Sequence, residues 1–92
     1  SMSVTVRIPT QLRTLTAGEG EIVVEATTVR EAVSNLESLH PGIGARLLDD
    51  GGQLRRFVNI FLADEDVRFL EGLDTQVQPG QTLSVVPAVA GG

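Results

Sequence analysis

Apolar and polar residues alternate near both ends of this chain, and a helical stripe runs between them. Val4, Val6 and Ile8 alternate with Thr5 and Arg7, the period-two pattern of a half-buried strand. Pro9 ends it, because proline has no N–H to give the ladder. Gln11 to Gly20 reads as a polar connection holding Leu12 and Leu15, with Gly18-Glu19-Gly20 as a turn. Ile22, Val24 and Ala26 then alternate with Glu21, Val23 and Glu25. Two such strands across a short connection predict an antiparallel hairpin.

Thr28 opens a helix. Thr28-Val29-Arg30-Glu31 fits a capping box, in which the hydroxyl accepts from a free backbone N–H and Glu31 reaches back. Val29, Ala32, Val33, Leu36 and Leu39 form one apolar stripe, and His40-Pro41-Gly42 stops the helix. Ile43 to Leu48 reads as a short second helix, and Asp49 to Gly52 as a loop. Phe57 to Ala63 is the most apolar segment and reads as a central strand. Asp64-Glu65-Asp66 reads as a turn and Val67-Arg68-Phe69 as a short strand. Leu73 and Val77 look like plugs at the core edge within an irregular stretch. Pro79-Gly80 marks a turn before the last strand, Thr82 to Val86, with Leu83 and Val85 on one face.

The order is β-β-α-(short helix)-β-β-β. It predicts a single α+β domain over residues 2–92, a mixed sheet of four to five strands with one main helix on one face. The first and last strands pair in the middle of that sheet. A β-grasp matches this order, and other α+β arrangements match it as well.

Composition narrows the chemistry. The net charge is −5 and the pI about 4.6, which disfavours non-specific binding to nucleic acid or anionic membrane. Cysteine is absent, so disulfides, thiolate catalysis and thiolate metal sites are excluded. All seven basic residues are arginine, which removes Schiff-base chemistry and any lysine acceptor on this chain. No stretch reads as a membrane span or signal peptide, so the expected compartment is the cytoplasm. Ser1 before Met2 reads as a tag-cleavage scar.

The ending is distinctive. Pro87-Ala88-Val89-Ala90-Gly91-Gly92 carries no side chain larger than valine. It reads as a thin, flexible arm whose reactive group is the main-chain carboxylate of Gly92. Glycine lets the backbone approach another protein's active site closely. Six extended residues reach roughly 20 Å, enough to enter a cleft while the globule stays outside. Other candidates are weaker. His40, the sole histidine, sits at a helix end, where a capping or solvent role outweighs catalysis. Asp64-Glu65-Asp66 lacks the spacing of a calcium loop, and Gly18-Glu19-Gly20 lacks a phosphate-loop pattern with its lysine. Arg55, Arg56, Phe57 and Phe61 are candidate partner-docking residues, set against solvated edge charge and plain core packing.

The strand order, the Asn59-bearing strand, the Pro79-Gly80 turn and the Gly-Gly ending resemble the sulfur carriers of the MoaD/ThiS family, which are ubiquitin-like β-grasp proteins. Phe57 to Phe69 and the ending are most similar to the family's cysteine-biosynthesis carriers. The resemblance implies that an E1-like adenylating and sulfurtransferase enzyme uses ATP to activate Gly92, which becomes a thiocarboxylate. Pro87, Ala88, Val89, Ala90 and Gly91 would thread into partner active sites. It further implies a PLP-dependent cysteine synthase as sulfur acceptor, using O-phosphoserine, and a zinc-dependent peptidase that frees cysteine. The chain itself would hold no catalytic residue, metal or cofactor. Rival readings are the small subunit of molybdopterin synthase, a ubiquitin-like protein modifier, and an interaction domain with an incidental Gly-Gly.

Overall fold

The computed structural model describes residues 2–87. Among them, five strands form one mixed sheet. β1 (Ser3–Arg7) pairs antiparallel with β2 (Glu21–Glu25), placing Val4 opposite Val24 and Val6 opposite Ile22. β5 (Thr82–Pro87) runs parallel to β1 on one side and antiparallel to β3 (Val58–Leu62) on the other. The two-residue strand β4 (Glu65–Asp66) pairs with β3, giving the order β2-β1-β5-β3-β4. The expected pairing of first and last strands is present. The middle of the sheet is β5, however, and not the Phe57–Ala63 segment. Its apolar run made β3 look central, yet its outer neighbour is only two residues long.

One face of the sheet is covered. Val4, Val6, Ile22, Val24, Ile60, Leu83 and Val85 point to it and are buried. Helix α1 (Val29–Leu39) lays Val29, Ala32, Val33 and Leu36 against them. Burying one such aliphatic side chain contributes about 1.5–3 kcal/mol, so the stripe is what fixes α1 on the sheet. Leu39 departs from expectation and is 56% exposed. At roughly 100° per residue it has rotated to the stripe's edge, and it is the last residue before the chain turns. Helix α2 (Ile43–Leu47) adds Ile43 and Leu47 to the core. Gly42 enters it at φ 105°, and its N–H donates to the Glu37 carboxylate, as does that of Gly44 at 2.7 Å. A Cβ at Gly44 would lie 2.8 Å from that carboxylate, so these glycines let α2 fold back under α1.

The helix cap has the expected logic with a shifted partner. The Thr28 hydroxyl accepts from the Glu31 N–H at 3.2 Å. Glu31 reaches back to Thr27, accepting from its N–H and its hydroxyl, both at 2.6 Å. The Thr27 hydroxyl first, and then the Thr27 N–H, hold the Glu31 carboxyl below its ordinary pKa. The folded value is depressed, so this stabilisation is present above the unfolded pKa. It is lost as pH falls through the folded one. Thr27→Ala should therefore raise the Glu31 midpoint in a carboxyl-carbon NMR titration; an unmoved midpoint would show that the hydroxyl bond is not made.

Two local readings change. The connection after Pro9 is a 3-10 helix, Thr10–Thr16, whose Leu12 and Leu15 stand three apart and turn the same way at three residues per turn. Leu12 is buried and Leu15 packs on the core. Ala63 and Asp64 both have positive φ, 49° and 73°, and make a tight two-residue hairpin turn. The strand therefore starts at Glu65, and Val67–Phe69 is a 3-10 turn and not a strand. The plugs behave as expected: Leu73 and Val77 are buried, and the Val77 N–H donates to the Thr27 carbonyl at 3.0 Å.

Candidate functional site

The end of β5 fixes where the chain leaves the globule. Val86 lies opposite Asn59 and Pro87 opposite Val58. Pro87 thus closes the strand, although its sequence context placed it in the arm. At the last strand position its missing N–H weakens the ladder least. Ala88, Val89, Ala90, Gly91 and Gly92, on which the reading of a reactive arm rests, lie outside the described residues.

Three of the four docking candidates stand where β5 ends. Arg55, Arg56 and Phe57 are all exposed and immediately precede Val58. The Arg56 guanidinium sits 5.3 Å from the centroid of the Phe57 ring, a cation–π contact that orders both side chains. Arg55 is tied inward: its N–H donates to the Leu47 carbonyl and its Nε to the Ala45 carbonyl, each at 2.9 Å. Sequence reasoning missed Arg68. Its Nη1 donates to Asn59 Oδ1 at 2.7 Å, and its Nη2 to the Arg55 carbonyl. It therefore clamps the outer side of β3 beside the strand pair that carries Val86. Reading 67–69 as a strand hid this, because a strand would have run Arg68 along β4's direction. The 3-10 turn, capped by Asp66 accepting from the Arg68 N–H at 2.9 Å, folds it back over β3.

Phe61 belongs to the sheet face away from α1. It lies opposite Ser84 on β5 and Asp66 on β4, and Ser84 in turn lies opposite Arg7 on β1. Arg7 pairs with Glu21 at 3.3 Å, an exposed contact worth little in stability. An open groove of about 500 Å³ lies over this face, lined among others by Arg7, Phe61, Asp64, Thr82, Ser84 and Val86. Phe61 is half-buried, Val86 is 44% exposed and Val23 61% exposed. Apolar side chains thus stand among small hydroxyls on an uncovered face, the mixed character of a surface that meets a protein.

The remaining candidates fall elsewhere. His40 ends α1 on the helix layer, with its N–H donating to the Leu36 carbonyl at 2.8 Å. Asp64 lies in the hairpin turn while Glu65 and Asp66 form β4, and among the described residues no three His, Cys, Asp or Glu side chains gather to hold a metal. Gly18, at φ 84°, completes the turn after the first 3-10 helix. Among the described residues no helix is long and apolar enough to cross a membrane.

Comparison with known proteins agrees with this geometry. The model of the ThiS family matches residues 6–92. The sulfur carrier protein CysO of Mycobacterium tuberculosis is 46% identical over 93 residues, covering 99% of this chain and 100% of that protein. A chain in the crystal structure of the Amycolatopsis orientalis BexX/CysO complex matches with a TM-score of 0.91 at 50% identity, covering 97% of this chain and 99% of that one. The crystal structure of Mycobacterium tuberculosis CysO matches with a TM-score of 0.88 at 44% identity, covering 94% and 99%. The fold is therefore the ubiquitin-like β-grasp.

Proposed function

This chain belongs to the ThiS family, and from that membership we propose that it is a sulfur carrier whose working atoms are the terminal carboxylate of Gly92. One observation carries the reading. A β-grasp matched over 99% of its length by a named sulfur carrier has its middle strand, β5, ending at Pro87, five positions before Gly92 in the sequence. A carboxylate is a poor electrophile. An E1-like enzyme would join a Gly92 carboxylate oxygen to the α-phosphorus of ATP, releasing pyrophosphate. A sulfur nucleophile would then attack the acyl carbon and expel AMP, leaving a thiocarboxylate.

Cysteine biosynthesis is the acceptor pathway that the similarity to the CysO proteins supports best. The thiocarboxylate sulfur would displace phosphate from the β-carbon of an O-phosphoserine held by a PLP-dependent cysteine synthase. The acyl group would migrate from sulfur to the amine, and a zinc-dependent peptidase would hydrolyse the resulting amide and restore Gly92. All catalysis lies with these partners, and this chain supplies a grip and a reactive end. Phe61 with Val86 on the open sheet face, and Arg56 with Phe57 at the end of β5, are the side chains we assign to that grip. From Pro87 the five remaining residues span at most about 18 Å when extended, so the partner's cleft must open close to this end of β5.

Intact mass spectrometry tests the reading. Incubation with the activating enzyme, ATP and a sulfur donor should add the mass of one oxygen-to-sulfur exchange. Adding the cysteine synthase and O-phosphoserine should then give a carrier–cysteine adduct. Attachment to lysines of larger proteins with no sulfur gain would instead identify a modifier. Sulfur gain with transfer only to a pterin precursor would reassign the acceptor.

A further inference from the structure

None of the three phenylalanines is in the buried core, and Phe69 is the extreme case. It is 84% exposed, and Leu70 beside it is 41% exposed. This exposure is not slack in the chain. Val67, two residues earlier, is fully buried, and Leu73, four residues later, is 5% exposed. Between these anchors the 3-10 turn is capped by Asp66, and the Leu70 N–H donates to the Val67 carbonyl at 2.9 Å. The Glu71 N–H donates to the buried Thr75 hydroxyl at 3.0 Å. The backbone is thus fixed on both sides of an aromatic ring held out in water. An aromatic displayed on ordered backbone loses little entropy on binding, which is the character of an interface anchor.

The charge around it is as uneven. Residues 64–74 hold five carboxylates, Asp64, Glu65, Asp66, Glu71 and Asp74, and one arginine, a net −4 of the chain's −5. Asp66 is occupied as a cap and Asp74 lies 3.3 Å from Arg30, while Asp64, Glu65 and Glu71 are exposed. Asp64 and Glu65 lie beside Leu62, near the start of β5, whereas the next turn of the segment reaches toward the exit of β5 through Arg68. Arg68, adjacent to Phe69, is the residue that binds Asn59 and the Arg55 carbonyl. A protein that takes residues 88–92 into its cleft therefore works next to the turn that displays Phe69, with the carboxylates farther along the same edge.

We propose that Phe69, with Leu70, is a second anchor for the enzyme that activates the terminal carboxylate, filling an apolar pocket ringed by arginine or lysine on that enzyme. The inference rests on the carrier reading above. An enzyme that binds a nucleoside triphosphate near this cleft needs positive potential there, and the −4 segment complements it. The anchor lies off the open sheet face, so it makes recognition two-sided and fixes how the carrier is turned as its end enters the cleft.

The test is steady-state adenylation of the full chain by an E1-like enzyme of the same genome, followed as carrier-dependent pyrophosphate release. Phe69→Ala should raise KM for the carrier by about 30-fold, the loss of a strong aromatic anchor, and leave kcat near wild type. Phe69→Leu should recover part of the loss. The double variant Glu65→Lys/Glu71→Lys should raise KM and flatten its dependence on salt. Thermal unfolding of each variant should match wild type, since these side chains are exposed. Wild-type KM for Phe69→Ala, with the wild-type chain adenylated, overturns the anchor and leaves the carrier reading standing. Failure of the wild-type chain to be adenylated overturns both.

Discussion

Removing Gly92 is expected to abolish thiocarboxylate formation while the domain melts as before. The two halves of that result have separate physical causes. Deletion moves the carboxylate back by one residue, about 3.5 Å along an extended chain. A displacement of only about 1 Å can cost on the order of 100-fold in a positioned reaction. A carboxylate displaced from its productive position by about 3.5 Å should react too slowly to detect. The fold of the described residues, by contrast, is held by a core that ends before Pro87. Every member of the buried core cluster lies between Val4 and Val85, so the unfolding free energy should change by less than about 0.5 kcal/mol. Intact mass spectrometry and thermal unfolding on the same sample read both halves. A Gly92-deleted chain that still gains sulfur at the wild-type rate would move the reactive group elsewhere and end the carrier assignment as stated.

The sheet and main helix were legible because their signals are local and repeated. Val4 and Val6, Ile22 and Val24, and Leu83 and Val85 each recur at every second residue, and each pair faces the core. The cap at Thr28 and the stop at His40-Pro41-Gly42 bounded α1 in advance. What failed to show depends on geometry between elements. The tight turn at Ala63-Asp64 places an alanine, which rarely adopts positive φ, beside an aspartate that tolerates it, so the sequence pattern sets the turn one residue late and β4 begins at Glu65. In the sequence Arg68 reads only as part of a short strand, because its partners Asn59 and Arg55 are nine and thirteen residues away. β3 looked central because hydrophobicity reports burial and not strand order. At the site, Arg55 and Arg56 were flagged for standing before an apolar strand and Phe57 for sharing strand parity with Phe61; that this strand start lies opposite Pro87 comes from register alone.

Leu83→Ala should produce the opposite pattern, a large loss of stability with the chemistry retained in the molecules that remain folded. Leu83 is 2% exposed and sits mid-sheet, opposite Val6 on the parallel neighbour β1 and Leu62 on the antiparallel neighbour β3. Truncation leaves a void bounded by strands on both sides, which cannot close without moving a ladder. Leu→Ala changes at such sites cost about 2–5 kcal/mol. Against the roughly 5–15 kcal/mol of a typical domain, about 3 kcal/mol is a large share, and for a chain of this size it lowers the melting midpoint by roughly 12–24 °C. Val23→Ala on the uncovered face, where the side chain is 61% exposed, should cost no more than about 0.5 kcal/mol. Below its melting midpoint the Leu83→Ala chain should still be adenylated with the wild-type KM, because neither the arm nor the gripping side chains have changed. An unshifted melt would mean that β5 is not the spine of the sheet. A normal melt paired with a raised KM would mean that Leu83 serves recognition. The expected result, a lowered melt with wild-type KM, separates the strand that carries the arm from the surfaces that present it.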